Sequence, residues 1–478
     1  MDCGRTGSSR RGPDLRVVRG RLAALGALAL CACALGPQYQ RPSIPAPVAW
    51  KNAPEGAQVA WPSSGWWRGF GSRELDQYIE EAQRANDDIA AAVARVREAD
   101  AQTRIVGAAL QPAVAATAVA TRQRTRPAGG NPSTYTLYSP QISAAYELDF
   151  WGKNRAALDA AQATLAASRY DRATVELTVL SGVASTYFQA LALRERVAIA
   201  HRNLADAEKV LEGLRLEQKA GTADALDVAQ QETAVATLYA AIPPLEQQLR
   251  QSVDALAILI GKTPEAVELE SGTLEELSQP AVEPGLPSEL LARRPDVAQA
   301  EAQLIAANAD IAQARAAFFP SIALTASGGF ASDALAGVLS RSNAVFALGA
   351  ALAQPIFEGG ALEGQAAYAQ ARYAELLAGY HKTVVAALAN VEDALVALQQ
   401  TGEQARRQRQ AVATARRAYE IAQAQMRAGT INVLALLNTE SALFAAEDAM
   451  AQVELSRMQA LVGLFNALGG GWHEAQEG

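Results

Sequence analysis

The sequence predicts a mostly helical chain that also supplies strands to a membrane β-barrel, organised as two structural repeats. Three observations predict it. The stretch "KAGTADALDVAQQETA" from Lys219 is echoed 208 residues later by "RAGTINVLALLNTESA" from Arg427, with matching Ala-Gly-Thr triplets. Two stretches, Gly152–Ala220 and Gly360 onward, contain no proline and suit very long helices. Short runs of period two precede each of them, which is the spacing of strands rather than helices.

Composition agrees. Of 478 residues, 50% are apolar but only 6% are aromatic, and much of the apolar share is alanine. Closely packed helices suit that balance better than a compact aromatic core.

The N-terminus reads as an export signal. Arg5, Arg10, Arg11, Arg16, Arg19 and Arg21 precede the apolar run "LAALGALALCAC", too short to span a membrane as a helix. Cys33 follows Ala32 and has Leu30 three residues before it, as a lipidated cysteine requires; Cys31 follows Leu30 and fits less well. Residues 1–32 are thus expected to be a lipoprotein signal peptide, and Cys33 to carry diacylglycerol and an N-acyl chain. The alternative is an ordinary signal peptide with incidental cysteines. Ala34 in the next position leans toward the outer membrane. Without residues 1–32 the chain keeps one cysteine, hence no internal disulfide, and 36 basic against 48 acidic residues, a net −12 that argues against nucleic-acid binding. Residues 33–60, rich in proline, read as an extended arm from the anchor.

The 208-residue offset recurs elsewhere. "NDDIAAAVARVREADAQTRIVGAALQPAV" from Asn86 aligns with "RPDVAQAEAQLIAANADIAQARAAFFPSI" from Arg294, with Pro112 on Pro320. Repeat one is placed at 61–270 and repeat two at 291–468, joined by a linker at 271–290 and followed by a tail, 469–478. After each proline the period becomes two. Strands are expected at about 112–122 and 135–150, then at about 320–330 and 343–357. In the second, Tyr138, Ile142, Ala144, Tyr146 and Leu148 share one parity and Gln141, Ser143 and Glu147 the other. An apolar face against a polar one fits a membrane strand with lipid and lumen sides, or else a soluble hairpin with one buried face.

Long helices follow. Tyr373, Leu376, Tyr380, Val384, Leu388, Val391, Leu395 and Leu398 step by three or four. A helix over 152–219 would be on the order of 100 Å long at 1.5 Å per residue. The stretches 219–227 and 427–435 are then the tips of helical hairpins, with Gly221 and Gly429 ending one helix, and Thr222 or Asp224, and Thr430 or Asn432, capping the next. Pro243–Pro244 is expected to interrupt the first return helix. Four strands cannot close a barrel, whose usual minimum is about eight, so copies must share one; three copies give twelve strands.

The stretches "CALGPQYQRP", "RRPDVAQAEAQLIAANADIAQARAAFFPSI" and "AQPIFEGG", with the two "AGT" tips, resemble the TolC-like outer-membrane efflux factors, in the lipoprotein branch called the NodT family. The resemblance covers nearly the whole exported chain. It implies a homotrimer in the outer membrane of a Gram-negative cell: a 12-stranded β-barrel continuing into a long periplasmic α-helical barrel. It further implies a passive exit duct for drugs or other toxic compounds, working with a periplasmic adaptor and an inner-membrane, proton-driven pump. The exposed tip residues Lys219, Gly221, Thr222, Arg427, Gly429 and Thr430 are the expected adaptor contacts.

The family carries acidic rings at its periplasmic gate. Six and nine residues after the second tip glycine, where its founding member has acids, this chain has Ala435 and Asn438. The gate candidates are therefore Asp224 and Asp227 of tip one, with Asn432 and Asn438 of tip two. Three chains would bring up to six carboxylates to a narrow mouth, favouring cations. The competing reading makes Asp224 a helix cap and Asp227 a solvated first-turn acid.

No enzyme chemistry is indicated. "LIGKT" at 259–263 ends like a phosphate loop, but Leu256 stands where the glycine is needed, so a helix end accounts for it. His201, His381 and His473 lack metal-ligand spacing, and no cofactor is expected. Two rival readings stand: a type I protein-secretion duct, which shares the fold, and a non-conducting periplasm-spanning lipoprotein, which leaves the paired hairpins unexplained.

Overall fold

The computed structural model describes residues 37–45, 47–53, 61–126, 129–270, 272–282 and 284–473. The signal segment and Cys33 lie outside them. The described chain runs α1 (Arg73–Ala85), α2 (Asp87–Gly107), β1 (Ala113–Thr125), β2 (Ser133–Leu148), α3 (Lys153–Lys219) and α4 (Ala225–Leu259). The second half follows as α5 (Pro295–Ala316), β3 (Ser321–Phe330), β4 (Ala344–Ala353), α6 (Ala361–Arg427) and α7 (Val433–Ala467). The helices α3 and α6 have 67 residues each, α4 and α7 have 35 each, and each pair begins and ends 208 residues apart.

The repeats do not separate as domains. Like parts group together: of the described residues, 103–161 and 305–373, with 37–40, form one compact unit, and those within 41–102, 162–304 and 374–473 form the other. The first unit holds a four-stranded antiparallel meander, β1-β2-β3-β4. β1 and β4 are its edges. β4 ends at Ala353, four residues short of the expected end, because Pro355 has no N–H to continue a ladder. At the base of β2, Asp149 caps α3 by accepting from the Asn154 and Arg155 N–H groups at 2.9 and 2.8 Å. The Trp151 indole donates to the Pro320 carbonyl at 2.7 Å.

The second unit is helical. α1 starts at Ser72, whose hydroxyl accepts from Leu75 N–H, and it buries Leu75, Tyr78, Ile79 and Ala82, a one-sided stripe. These pack with Phe188 and Leu191 of α3, Leu256 of α4, and Met458, Leu461 and Phe465 of α7. Glu74 is buried among them yet satisfied: it accepts from the Tyr78 and Tyr187 hydroxyls at 3.0 and 2.9 Å and from Glu270 N–H at 2.7 Å. A second core gathers Tyr380, Val384, Val391 and Leu395 of the α6 stripe around Trp50, Leu290, Val297 and Leu464.

One expectation is overturned here. Pro243 and Pro244 do not interrupt the return helix; α4 runs through both. The two prolines are exposed, and so are Tyr239 and Ala240, whose carbonyls lose their helical donors. On a solvent face water can satisfy those carbonyls, so the penalty is not enough to break a helix pinned at both ends by packing.

Candidate functional site

Two places carry the functional geometry: the faces of the sheet and the tips of the hairpins.

Across the sheet, register joins Val114 to Ala144, Ala144 to Ala326 and Ala326 to Leu348. The same face therefore holds Ala116, Ala118, Ala120, Tyr138, Ile142, Tyr146, Ile322, Leu324, Phe346 and Leu352. The opposite face holds Thr117, Thr121, Gln123, Ser139, Gln141, Ser143, Glu147, Thr325 and Ser327. Phe346 is 82% exposed and Leu348 78%, so the apolar face is uncovered within the chain. A sheet with one bare apolar face, one polar face and two unpaired edges has the chemistry of a barrel wall seen in a single subunit.

Each tip is built twice on one plan. At the end of α3, Gly221 takes a positive φ of 79°, its N–H bonds to the Gln218 carbonyl, and Thr222 N–H reaches back to the Glu217 carbonyl at 2.9 Å. At the end of α6, Gly429 has φ 66°, bonding to Met426, and Thr430 N–H reaches Gln425 at 2.9 Å. Both threonine hydroxyls donate to the same carbonyls at 3.0 Å. The repeated triplet is thus a glycine-terminated helix end reinforced by a side chain. Lys219, Gly221, Thr222, Arg427, Gly429 and Thr430 are all exposed.

Asp224 is the N-cap of α4. Its carboxylate accepts from Leu226 N–H, and Asp227 reaches back to Asp224 N–H, both at 3.4 Å, closing a capping box. Asn432 caps α7, accepting from Ala435 N–H at 3.1 Å, while Asn438 is exposed six residues further on. The capping reading of Asp224 therefore holds, and its side chain is still exposed at the tip. Behind the tips the two hairpins pack on each other: Leu211, Leu214 and Val228 of the first meet Val433, with Met426 and Leu437 alongside. An ion pair from Arg196 of α3 to Asp448 of α7, 2.6 Å, adds to the seam, while Arg409–Glu454 and Arg416–Glu447, also 2.6 Å, tie α6 to α7 within the second hairpin.

Sequence reasoning missed a buried acid. Glu440 aligns with Glu232 across the repeat, but Glu232 pairs with Arg215 in solvent whereas Glu440 is 2% exposed with Oε1 unpartnered among the described residues. Burial, and then the charge of Asp206, push its carboxyl up to about 7. Burial and the neighbouring Glu440 push the Tyr419 hydroxyl up to about 12.

The sequence matches the outer membrane efflux protein family model twice, over residues 78–262 and 286–470, again 208 residues apart. The chain belongs to the outer membrane efflux protein family. It is 42% identical to the pyoverdine export outer membrane protein OpmQ of Pseudomonas aeruginosa, over 94% of this chain and 96% of that one. It is 33% identical to the toluene efflux pump outer membrane protein TtgC of Pseudomonas putida, over 94% and 95% of the two chains. The solved outer-membrane channel OprN superposes with a TM-score of 0.87 at 27% identity, covering 92% of this chain and all of that one. The chain is an outer-membrane efflux channel, the exit duct of a tripartite efflux pump. Channels of this family are trimers that work with an adaptor and an inner-membrane pump, built from strands, a helical barrel and an internal repeat, and this chain shares that fold class.

Proposed function

We propose that the chain forms a passive homotrimeric duct whose periplasmic mouth is made by the tips at 219–227 and 427–435. A periplasmic adaptor docks on Lys219, Gly221, Thr222, Arg427, Gly429 and Thr430, and Cys33 carries the lipid that tethers the arm. The observation that carries this reading is the sheet: one apolar face, one polar face and both edges open. Four strands with open edges in lipid would leave N–H and C=O groups unsatisfied, and sharing one barrel among three copies removes those edges. A wall polar on the inside needs no catalytic group to conduct; the pump supplies the work.

The cargo we assign is a small organic product. OpmQ is named for pyoverdine export and TtgC for toluene, and the former shares more of this sequence. Asp224 and Asp227 give the mouth its acidic ring, since capping uses their oxygens as acceptors without removing their charge.

Single-channel recording of the purified assembly in a planar bilayer tests this, wild type against Asp224→Asn/Asp227→Asn. Asparagine also caps helices, so the hairpin persists. A cation-selective conductance that loses selectivity in the variant is expected. Unchanged selectivity would remove the two aspartates from the mouth while leaving the duct. No conductance with or without the adaptor would favour a non-conducting scaffold. Export of an unfolded polypeptide in place of small molecules would favour the protein-secretion duct.

A further inference from the structure

The β1–β2 hairpin is longer than the sheet it belongs to. β3 pairs with β2 only from Gln141 to Leu148, with one further bridge between Tyr138 and Ser332. Beyond it, Thr121–Thr125 and Ser133–Leu137 continue as a two-stranded ribbon. From 101 to 146 the charged residues are Arg104, Arg122, Arg124 and Arg126, with no acid among them. Arg122 lies opposite Thr136 and Arg124 opposite Thr134, which puts both on the apolar face with Ala120, Tyr138 and Ile142. Arg122 and Arg124 of β1 and the following Arg126 are exposed, and none has an ion-pair or hydrogen-bond partner among the described residues.

Their height is decided by the strand. Tyr138 to Leu148 marks the apolar face of β2, and ten residues at about 3.3 Å each, tilted by about 40°, span about 25 Å, the height of the apolar band of such barrels. On the proposed duct reading α3 leaves the Leu148 end of β2 on the periplasmic side, so the Ser133 end of β2, with the ribbon, is the outer one. Arg122 and Arg124 then fall one and two side-chain steps past the hydrocarbon, on the lipid side and not in the lumen. A guanidinium there stays charged, cannot turn inward through the sheet, and matches a phosphate group in a bidentate fork.

We propose that Arg122, Arg124 and Arg126 form a binding site for the phosphate groups of the phosphorylated glycolipid of the outer leaflet. The face is apolar where acyl chains lie and becomes cationic where the headgroup begins, so acyl chains and headgroup are read by one continuous surface. Three copies would surround the outer rim of the barrel with nine guanidinium groups.

The test uses the full chain, purified in detergent free of glycolipid, with diphosphoryl lipid A, monophosphoryl lipid A and inorganic phosphate as probes. Native mass spectrometry reads binding and thermal unfolding reads stabilisation. The wild type should bind the diphosphoryl form about tenfold more tightly than the monophosphoryl form, and inorganic phosphate should not compete at equal concentration. Arg122→Gln/Arg124→Gln/Arg126→Gln should lose that preference while keeping its trimer mass and its conductance. The corresponding triple lysine variant should keep part of it, and its assembly guards against a fold defect in the glutamine variant. Equal binding of the two lipids by the wild type, or an undiminished preference in the assembled glutamine variant, would overturn the proposal. Competition by inorganic phosphate would also overturn it, as it would show a free-anion site in place of a lipid site.

Discussion

Asn86 and Arg294 do the same work in the two repeats: each donates to the last carbonyl of a 35-residue return helix, Leu259 at 2.8 Å and Ala467 at 2.9 Å. Asn86 also caps α2 by accepting from Ile89 N–H at 3.0 Å. In the second repeat that task passes to Asp296, which accepts from its own helix and holds the Arg294 guanidinium at 2.6 and 2.9 Å. The "RRPD" stretch is therefore a structural clamp on the end of α7.

Removing each clamp should cost different amounts. Asn86→Ala loses a cap and one bond to a carbonyl, about 1–2 kcal/mol. Arg294→Ala strands a carbonyl and a carboxylate around a site only 9% exposed, and should cost about 3 kcal/mol. Arg294→Lys should restore little, because a single ammonium cannot hold Asp296 and the Ala467 carbonyl in the same fork. Thermal unfolding of the purified trimer orders the three.

The glycines that follow each return helix sit against the start of the next element. A side chain on Gly261 would place Cβ 2.2 Å from the Ala85 carbonyl oxygen, and on Gly469 2.0 Å from that of Arg293, both at positive φ. Gly221, also at positive φ, has nothing within 4 Å. Gly221→Ala should therefore cost only its conformational penalty, about 1 kcal/mol, while Gly261→Ala and Gly469→Ala must displace backbone. Midpoints of denaturant unfolding should fall further for the latter two; equal shifts would contradict the packing.

Glu440 should make the second hairpin sensitive to pH. Its folded pKa, about 7, lies above the unfolded carboxylate value, so the folded chain binds the extra proton. The contribution to stability is present below the unfolded value and is lost as pH rises through about 7. Glu440→Gln, which keeps the shape without the charge, should flatten this slope and be more stable than wild type at pH 8. Hydrogen exchange in α7 at pH 6 and pH 8 reads the effect locally; an unchanged slope in the variant would assign it to another group.

The two faces of the sheet should tolerate charge differently. Leu348→Arg puts a cation on the apolar face in mid-sheet and should cost about 2–4 kcal/mol of membrane stability, reducing trimer in the outer-membrane fraction. Ala347→Arg, next in sequence but on the polar face, should assemble and instead lower cation selectivity. If both assembled equally, the assignment of faces would be void, and loss of trimer with Ala347→Arg alone would reverse it.

Much of this was legible before any tertiary structure. The repeat, the period-two strands, the long helices and the tips are written in local spacing, because alternation, helical stripes and glycine-ended helices need only neighbouring residues to declare themselves. Asp224 and Asn432 are legible as possible caps for the same reason, and both cap their helices. What local spacing could not reveal depends on contacts between distant residues. Glu232 and Glu440 are the same letter at the same place in the repeat, yet one is solvated beside Arg215 and the other buried near Asp206. Pro243 and Pro244 should break a helix by propensity, and packing along α4 kept it whole. Register alone put Arg122 on the apolar face beyond Tyr138, since a shift of one residue would have turned every side chain to the other side. The sequence by itself determined which elements exist and that they come twice; the tertiary structure decided which face, which neighbour and which solvent each side chain meets, because burial and register are set by the partner segment and not by the segment itself.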